Sequence, residues 1–330
     1  MPKKTVLGYQ IETHGGPEVL QFGPIELPEL GPTDVLVSHR ALGINFIDIY
    51  FREGLYPMEL PGGLGLEAAG VVEAVGSEVS YVSVGERVAY CMSPIGAYAE
   101  AHVVPQQLLI PIPSEIDDIT AAAITLKGLT AAFLLTALRP LRRGDAIVVH
   151  AAAGGVGQLL CQWARDMNLI VIGAVGSADK VALATAAGCD HVVVTEGDWV
   201  AQVREHCKEG VQMVFDSVGA DTFDSSLACL ARRGWFVSYG NSSGPAPAVL
   251  PLTLMQKGSL VMTRPSLADF ISDREEMLSL ASELFDRVIS GRLQVNVGLT
   301  LPLSEAAKAH QMLKERKTTG STVLTVEEST

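Results

Sequence analysis

The sequence has few cysteines, and no two of them form a C-x-x-C pair. The five are scattered along the chain, at Cys91, Cys161, Cys189, Cys207 and Cys229. An odd number without motif spacing is typical of a reducing compartment, and it argues against both a disulfide framework and a cysteine-rich zinc lobe. We therefore interpret all five as core residues.

The sequence also lacks the marks of a secreted, membrane-spanning or nucleic-acid-binding protein. No positively charged segment followed by an apolar one opens it, and no uninterrupted apolar stretch reaches membrane-spanning length. A net charge of −13 opposes binding to a polyanion. With 330 residues, 48% of them hydrophobic, the chain is long enough for two domains. We expect a soluble, cytoplasmic protein whose partner is a small molecule, with neither nucleic acid nor membrane as a partner.

A glycine-rich turn between a predicted strand and a predicted helix is the most informative stretch. Residues 145–157 read DAIVVHAAAGGVG, a β-branched run that stops at His150 and leads into an apolar, helix-prone segment. Ala151, Gly154 and Gly157 have the A-x-x-G-x-x-G spacing. Small residues let backbone N–H groups at a helix N-terminus approach a pyrophosphate, so this turn predicts a dinucleotide site. A tight turn without a ligand is the alternative.

The next predicted strand, residues 168–177, bears on the choice between NAD and NADP. An Asp or Glu at its end would accept a hydrogen bond from the ribose 2′-hydroxyl of NAD. The strand instead runs out at Gly176 and Ser177, with Lys180 one turn later, and a hydroxyl with an ammonium suits a 2′-phosphate. The sequence therefore predicts NADP(H), provided that Asp179 lies in a first helical turn and faces away. An ordinary solvated lysine is the alternative for Lys180.

Secondary-structure patterns divide the chain into three stretches. Residues 1–125 hold short extended segments broken by Gly and Pro, whereas residues 126–265 alternate strands and helices as a parallel α/β sheet requires. Residues 266–330 return to strands around helices. We therefore predict an α/β fold, with a doubly wound parallel sheet of Rossmann type in 126–265 inserted into a β-rich domain built from both chain ends.

One helix of the last stretch has recognisable ends. Ser272, with Glu275 three residues later, has the spacing of an N-terminal cap, and Gly291 is expected to end the helix. Its predicted apolar face consists of Met277, Ala281, Leu284 and Val288.

Seven segments spread over nearly the whole chain carry a family pattern. They are GINFIDIYFREGLYP (43–57), GLGLEAAGVVEAVG (63–76), LKGLTA (126–131), HAAAGGVGQ (150–158), DSVG (216–219), RRGWFVSYGNSSG (232–244) and KGSLVMTRPSL (257–267). Together and in this order they resemble the zinc-free quinone oxidoreductases of the medium-chain dehydrogenase/reductase superfamily. The resemblance implies that the β-rich domain is a GroES-like catalytic domain.

The chain departs from the zinc-dependent branch of that superfamily at the positions that bind the metal. Zinc-dependent members place a cysteine and a histidine in the segment equivalent to GINFIDIY, and a G-H-E triplet where this chain has Gly65, Leu66 and Glu67. The resemblance puts Asn45 at the sulfur position and Leu66 at the imidazole position, and neither supplies a zinc ligand. The seven histidines show no ligand spacing, and we interpret His150 as a packing or hydrogen-bonding residue. We expect no metal.

The expected absence of a metal indicates which kind of acceptor the protein reduces. Reducing a simple ketone leaves a basic alkoxide that needs a Lewis acid or a strong proton donor, whereas a quinone gives a delocalised, weakly basic hydroquinone anion. We therefore expect NADPH-dependent quinone reduction, by hydride or electron transfer, that relies mainly on proximity and orientation. The sequence indicates no dedicated acid or base.

The resemblance implies roles for individual residues at the nicotinamide end of the cofactor. They are Asn45, Phe46, Ile47, Asp48, Tyr50, Leu66, Lys127 and Thr130. Asn45 and Tyr50 are expected to donate hydrogen bonds to the acceptor oxygen, with a turn cap and a core aromatic as the respective alternatives. Leu66 would shape the pocket where zinc is missing. Lys127 is expected near the nicotinamide phosphate or ribose, with a helix-surface charge as the alternative.

Further implied contacts follow the rest of the cofactor. The pyrophosphate is expected beside Gly154, Gly155 and Val156, and the 2′-phosphate beside Gly176, Ser177, Lys180 and Arg316. Close relatives carry a tyrosine where this chain has Thr195, so NADP selectivity is expected to be looser. For residues 241–244 a plain polar turn is the alternative to cofactor contact. The other expected contacts are Val218, Asn241, Ser242, Ser243, Gly244, Ser266 and Leu267.

Two other functions stay open. A zinc-free relative could reduce the double bond of an enal or enone, because hydride delivery there also yields a delocalised anion. A NADPH-binding protein with little turnover is the other alternative, since fold does not fix function. The resemblance also implies a homodimer, and the apolar segment 261–264 is compatible with pairing of edge strands.

Overall fold

The computed structural model describes residues 4–92 and 94–327. This part of the chain divides into two compact units. Unit 1 contains the residues up to 129, residues 272–289 and the residues from 295 onward, and unit 2 contains residues 130–271 and 290–294. The sequence had suggested boundaries after residues 125 and 265, several residues before those of the units.

Strands dominate the first stretch of the chain. Strands β1 to β8 are Thr5–Ile11, Gln21–Glu26, Asp34–Ile44, Gly62–Gly63, Glu67–Val75, Arg87–Cys91, Ala101–Pro105 and Ile110–Pro111. Helices α1 and α2 are Phe46–Arg52 and Asp118–Thr136. Among the described residues, α2 alone is long and apolar enough by composition to cross a membrane, and 83% of its most apolar window is buried in the protein, as in a core helix.

Strands and helices alternate from residue 146 onward. Strands β9 to β14 are Ala146–His150, Ile170–Val175, His191–Val194, Val211–Asp216, Leu230–Ser238 and Val261–Thr263. Helices α3 to α8 are Gly155–Asp166, Val181–Ala186, Trp199–His206, Phe223–Cys229, Pro251–Gln256 and Leu267–Phe270.

The last stretch mixes helices and strands. In chain order it contains α9 (Arg274–Ile289), β15 (Val297–Pro302), α10 (Ala306–Lys314) and β16 (Ser321–Thr325). Short 3-10 turns occur along the chain at Pro17–Val19, Gln106–Leu108, Ala178–Lys180 and Leu303–Glu305.

The cap of α9 differs from the prediction. Asp273 Oδ1 accepts hydrogen bonds from the backbone nitrogens of Glu275 (2.9 Å) and Glu276 (3.0 Å). Because Asp273 directly precedes the helix, its carboxylate reaches the unpaired N–H groups of the first turn, so the prediction of Ser272 as the cap is wrong. The predicted apolar face is confirmed at Met277, Ala281 and Leu284, which are buried, and the chain turns at Gly291 with φ +74°.

Unit 2 is built on a parallel sheet with the order β11-β10-β9-β12-β13-β14. Numbered from β9, this order is 3-2-1-4-5-6, that of a doubly wound dinucleotide-binding sheet. Strand β9 is buried along its whole length, as expected for a central strand covered on both faces. The order reverses between β9 and β12, and ligands bind such sheets at the carboxyl ends of the strands there. The predicted Rossmann fold is confirmed.

Unit 1 holds a sheet of the order β15-β16-β3-β5-β6-β8, with β7 also paired to β3, and a small sheet β2-β1-β4. Strand β16 runs antiparallel to β3, with Thr322 opposite Ile44 and Val323 opposite Gly43. The two ends of the chain therefore share one sheet, which confirms the predicted β-rich domain. Its core includes the fully buried side chains of Ile11, Leu42, Tyr90 and Tyr98.

Candidate active site

The turn between β9 and α3 has the form that the sequence predicts for a pyrophosphate cradle. Ala151 adopts a left-handed conformation (φ +50°), and the nitrogen of Gly154 donates to its carbonyl oxygen at 2.8 Å. Gly154 is the N-cap residue of α3, so the cap position itself places no side chain over the first N–H groups of that helix. A Cβ at Gly157 would overlap the Ala151 carbonyl, which explains why glycine is required there. The geometry leaves backbone donors and a helix N-terminus for an anion.

At the end of β10 there is open space beside Gly176, and Ser177 carries a hydroxyl group. Apart from Gly176 and its two chain neighbours, no heavy atom of the described residues lies within 4 Å of the position that a Cβ on Gly176 would take. Ser177 and Lys180 follow, but the Ser177 hydroxyl donates to the carboxylate of Asp179 and lowers its pKa. Asp179 lies in the first turn of Ala178–Lys180, as expected, and its direction relative to a 2′-phosphate stays a prediction. Thr195 lies beside β10, where its backbone nitrogen donates to Val175 O at 2.8 Å.

The loops after β12 and β13 are bonded to each other. Ser243 donates to the Val218 carbonyl from its nitrogen and from its hydroxyl, both at 2.9 Å. Gly244 closes the 241–244 turn by donating to Asn241 O at 2.9 Å, and its own carbonyl accepts from Ala220 N at 3.1 Å. These predicted contact residues thus form one ordered structure at the carboxyl edge of the sheet.

Asp216, which sequence reasoning did not single out, organises the loop after β12. Its Oδ1 accepts from the nitrogens of Val218 (2.7 Å) and Gly219 (2.9 Å), and its Oδ2 accepts from the hydroxyls of Thr222 (2.7 Å) and Ser226 (2.9 Å). The side chain is fully buried, and four donors satisfy its two oxygens. An acid at a strand end followed by glycine three residues later is the sequence signal that could have identified it.

His150 lies beneath this loop and next to the pyrophosphate turn. Because the Ser226 hydroxyl donates to Asp216, the His150 Nε2, 2.9 Å from Ser226 Oγ, must be the donor of that pair. Burial lowers the pKa of His150, against the attraction of the Asp216 carboxylate, which favours the charged ring. The interpretation of His150 as a buried, hydrogen-bonding residue is confirmed.

In unit 1, the N-terminus of α1 holds two of the predicted residues. Asn45 is the N-cap residue of the helix, and its backbone nitrogen donates to Asp48 Oδ2 at 2.8 Å, as in a capping box. The Asn45 side-chain nitrogen donates to Glu67 Oε2 at 2.9 Å. The alternative of Asn45 as a cap thus describes its position, and its role as a donor to an acceptor oxygen stays a prediction.

Glu67, quoted in the sequence motif but given no role, is the centre of a buried polar cluster. Its Oε1 accepts from Leu126 N at 2.6 Å, and its Oε2 accepts from Lys127 Nζ at 3.0 Å as well as from Asn45. Glu67 is fully buried and Lys127 is 5% exposed. The alternative of Lys127 as a helix-surface charge is therefore wrong.

A chain of hydrogen bonds leads away from Asp48. Arg52 Nη1 donates to His310 Nδ1 (3.0 Å), which leaves His310 Nε2 to donate to Tyr98 Oη (2.9 Å), and the Tyr98 hydroxyl donates to Asp48 Oδ2 (2.7 Å). Burial lowers the pKa of His310 to about 3 and raises that of Asp48 to about 7, against the hydrogen bonds from Tyr98 and Asn45. Sequence reasoning missed Tyr98, His310 and Arg52.

The other predicted residues of unit 1 are aromatic and aliphatic side chains and one exposed arginine. Tyr50 is 8% exposed, with ring centroids 6.3 Å from Phe46 and 5.3 Å from Tyr56. Leu66 is buried, and Ile47 is partly buried. Arg316 also belongs to unit 1, where it is exposed with φ +59°.

The remaining predicted residues lie in unit 2. Thr130 and Leu267 are buried, and Ser266 is the N-cap residue of α8. The structure thus places seven predicted nicotinamide-end residues in unit 1 and the predicted phosphate-binding residues, apart from Arg316, in unit 2.

The two units define a class of protein: a dinucleotide-dependent dehydrogenase or reductase with a GroES-like domain. Residues 31–114 match the alcohol dehydrogenase GroES-like domain family, and residues 155–285 match the zinc-binding dehydrogenase family. The chain is 46% identical to a quinone oxidoreductase of Pseudomonas aeruginosa, over 96% of this chain and 98% of that protein. It belongs to the quinone oxidoreductase family of the medium-chain dehydrogenase/reductase superfamily.

Two further relatives are similar to this chain over nearly its whole length. The crystal structure of Escherichia coli quinone oxidoreductase complexed with NADPH superposes with a TM-score of 0.95 at 43% identity, covering 98% of this chain and 100% of that one. A 2-haloacrylate reductase of Burkholderia is 40% identical, over 97% of this chain and 98% of that protein.

Proposed function

We propose that this chain reduces quinones to hydroquinones with NADPH. The observation that carries the proposal is the turn of residues 151–157, where small residues leave backbone donors open at the N-terminus of α3. The NADPH complex of the related E. coli enzyme and the name of the P. aeruginosa relative support it.

The residues of unit 2 fit NADPH. Gly154, Gly155 and Val156 would hold the pyrophosphate, and the open space at Gly176 admits a ligand beside Ser177 and Lys180. The loops 217–219 and 241–244 are held in place by Asp216 and by each other, so they bind without first having to be ordered. When bound, NADPH supplies the hydride. We propose Thr130, Thr195, Ser266, Leu267 and, from unit 1, Arg316 as further contacts.

In unit 1, Asn45, Phe46, Ile47, Asp48, Tyr50, Leu66 and Lys127 would form the nicotinamide and acceptor end. The buried aromatic and aliphatic side chains exclude water, and the hydrogen bonds of Asn45 fix the start of α1. Orientation of the acceptor by such a surface is the main contribution that the chain itself makes.

We propose that the reaction uses no zinc, because the residues at the metal position of the zinc-dependent branch do not fit it. Leu66 has no donor atom, the Asn45 amide nitrogen donates to Glu67, and the Glu67 oxygen that it bonds already carries the Lys127 ammonium. Catalytic zinc requires several thiolate, imidazole or carboxylate ligands around one point. Metal analysis of the active enzyme tests this, and stoichiometric zinc that is essential for turnover would contradict it.

We further propose a cytoplasmic homodimer. The cysteines of the described residues are free, and most are buried, which suits a reducing compartment. Strand β14 is an edge of the unit 2 sheet, and Val261 on it and Met255 on α7 are exposed apolar residues, 37% and 58% respectively. An exposed strand edge next to apolar side chains is suited to pairing with a second copy.

A second candidate function has a specific observation in its favour. The 2-haloacrylate reductase relative acts, by its name, on an activated carbon–carbon double bond, and it covers this chain as fully as the quinone oxidoreductases do. Reduction of an enal or enone also yields a delocalised anion. A NADPH-binding protein with little turnover is the third reading.

One assay separates the three readings. NADPH oxidation is followed by absorbance with ortho-quinones, para-quinones, enones and 2-haloacrylate as acceptors. We expect rapid oxidation with quinones. Oxidation with the alkenes alone would favour the second candidate, and tight NADPH binding without oxidation by any acceptor would favour the third.

A further inference from the structure

We propose that the Lys127 ammonium donates a hydrogen bond to the acceptor oxygen that gains negative charge, and so supplies the electrostatic stabilisation that a metal ion gives in zinc-dependent dehydrogenases. The inference rests on the proposed reduction of a carbonyl-type acceptor and assigns a catalytic residue to it.

The position of the ammonium is the first argument. Lys127 Nζ and Asn45 Nδ2 bind the same Glu67 oxygen, at 3.0 Å and 2.9 Å. The two donor nitrogens are therefore close neighbours, and Asn45 belongs to the predicted acceptor end. The cation lies beside Asn45, which the resemblance puts at the position of the zinc-binding cysteine of the zinc-dependent branch.

Unused hydrogen-bonding capacity is the second argument. An ammonium carries three N–H bonds. Within residues 4–92 and 94–327, the Glu67 carboxylate is the hydrogen-bond acceptor of Lys127, although Lys127 is only 5% exposed. Buried donors without partners are uncommon in folded proteins. An oxygen that becomes an anion during reduction is a fitting acceptor for the remaining N–H bonds.

The rigidity of the cluster is the third argument. The Glu67 carboxylate is fixed by Leu126 N of α2, and it lies so close to Gly43 of β3 that any Cβ there would overlap it. The carboxylate in turn fixes Lys127 Nζ. A donor that is held in place before the charge develops stabilises that charge without reorganisation.

Stability alone is a weak explanation for this ion pair. Removing two charges from water costs free energy that their attraction often fails to recover, and buried pairs can be replaced by apolar residues with little loss. A charge that acts on the substrate gives the pair a function that an apolar pair would lack.

The test compares four proteins: the wild type, Lys127→Met, Glu67→Gln and the double variant Glu67→Gln/Lys127→Met. The double variant removes both charges and leaves no unpaired buried carboxylate, so it keeps the test valid if Lys127→Met does not fold. Single-turnover rates at saturating NADPH are measured for a series of para-quinones graded by the basicity of their hydroquinone anions. Lys308→Met, which removes an exposed lysine paired with Glu305, is the control.

We expect both variants without Lys127 to lose rate by about a hundredfold, the loss typical of one missing oxyanion donor. The loss should grow with the basicity of the anion, so the rate depends more steeply on basicity than in the wild type. Glu67→Gln keeps Lys127 but removes the carboxylate that fixes its ammonium, so its slope should lie between those of the wild type and the double variant. NADPH affinity, measured by fluorescence, should change less than the rate in both variants without Lys127.

Two outcomes are decisive. Equal slopes in the wild type and in the variants without Lys127 would overturn the inference and leave the quinone reductase proposal intact. If the wild type oxidises NADPH with no quinone, the proposed function itself fails.

Discussion

Tyr98 Oη and His310 Nε2 are separated by 212 positions in the sequence and by 2.9 Å in the folded chain. Tyr98 comes from the loop before β7, and His310 from α10 in the last stretch of the chain. Their hydrogen bond joins Asp48 to Arg52 through the core of unit 1, so the N-terminal and C-terminal parts of that unit are connected by polar contacts as well as by the pairing of β3 with β16.

Replacing Tyr98 with phenylalanine should therefore destabilise the protein. The variant leaves the Asp48 carboxyl and the His310 ring each without one buried partner, and such a loss costs about 1–3 kcal/mol. Thermal unfolding and urea titration measure it. Tyr81→Phe is the control, because Tyr81 is 51% exposed. An unchanged melting temperature for Tyr98→Phe would show that the network adds no stability.

Lowering the pH should destabilise the protein at pH values well above those at which exposed carboxylates titrate. Burial lowers the pKa of His39 and His310 to about 3 and that of His102 to about 4, below the 6.5 of an unfolded histidine. The unfolded chain thus binds more protons, so the stability from neutral histidines is complete above pH 6.5 and is lost as pH falls through 6.5 toward 4. Asp48 opposes this loss of stability, because its pKa is raised to about 7 and the folded protein therefore binds its proton more readily than the unfolded chain does. It is a single group.

The measurement is the melting temperature between pH 7 and pH 4. We expect a steady decrease, and a shallower one in His102→Gln, which removes one of these groups. Parallel curves for the wild type and His102→Gln would contradict the assignment of His102 as a buried neutral ring.

Gly157 and Gly176 form a matched pair that separates folding from cofactor binding. A Cβ at Gly157 would overlap the Ala151 carbonyl, whereas a Cβ at Gly176 meets no described atom within 4 Å beyond those of its two chain neighbours. Gly157→Ala should therefore lower the melting temperature of the protein without NADPH. Gly176→Ala should leave that temperature unchanged and weaken NADPH binding, by about tenfold if the methyl group displaces one phosphate hydrogen bond. NADPH affinity that is unchanged in Gly176→Ala would argue against a cofactor at this position.

Features encoded by neighbouring residues could be predicted from the sequence. The 145–157 turn and the strands of unit 2 follow from the spacing of small and β-branched residues, which determines local structure directly. The polar networks could not be predicted this way. Glu67 meets Lys127 and Asn45, and Tyr98 meets Asp48 and His310, only after distant segments pack together. Ser272 and Asp273 are both residue types that cap helices, and only the backbone decides which one directly precedes the first turn of α9.

Asp179 should weaken the preference for NADPH over NADH. Its exposed carboxylate accepts a hydrogen bond from the Ser177 hydroxyl, the group expected to bind the 2′-phosphate. Asp179→Asn removes a repelling charge, so NADPH affinity should rise several-fold at low salt while NADH affinity stays constant. Fluorescence titration of both nucleotides measures this, with Asp224→Asn, an exposed acid on α6, as the control. A parallel change for NADH would show that the 2′-phosphate does not lie near Asp179.

A lysine on strand β14 should disrupt the proposed dimer. Val261 is 37% exposed on this edge strand, and nearby Met255 on α7 is 58% exposed. Pairing of two copies along β14 would bury these side chains, and a buried unpaired ammonium costs several kcal/mol of association free energy. Val261→Lys should therefore elute as a monomer in size-exclusion chromatography with light scattering. Val84→Lys, which changes a 62% exposed valine of unit 1, should elute like the wild type. If both variants elute like the wild type and the wild type is dimeric, the dimer forms through another surface.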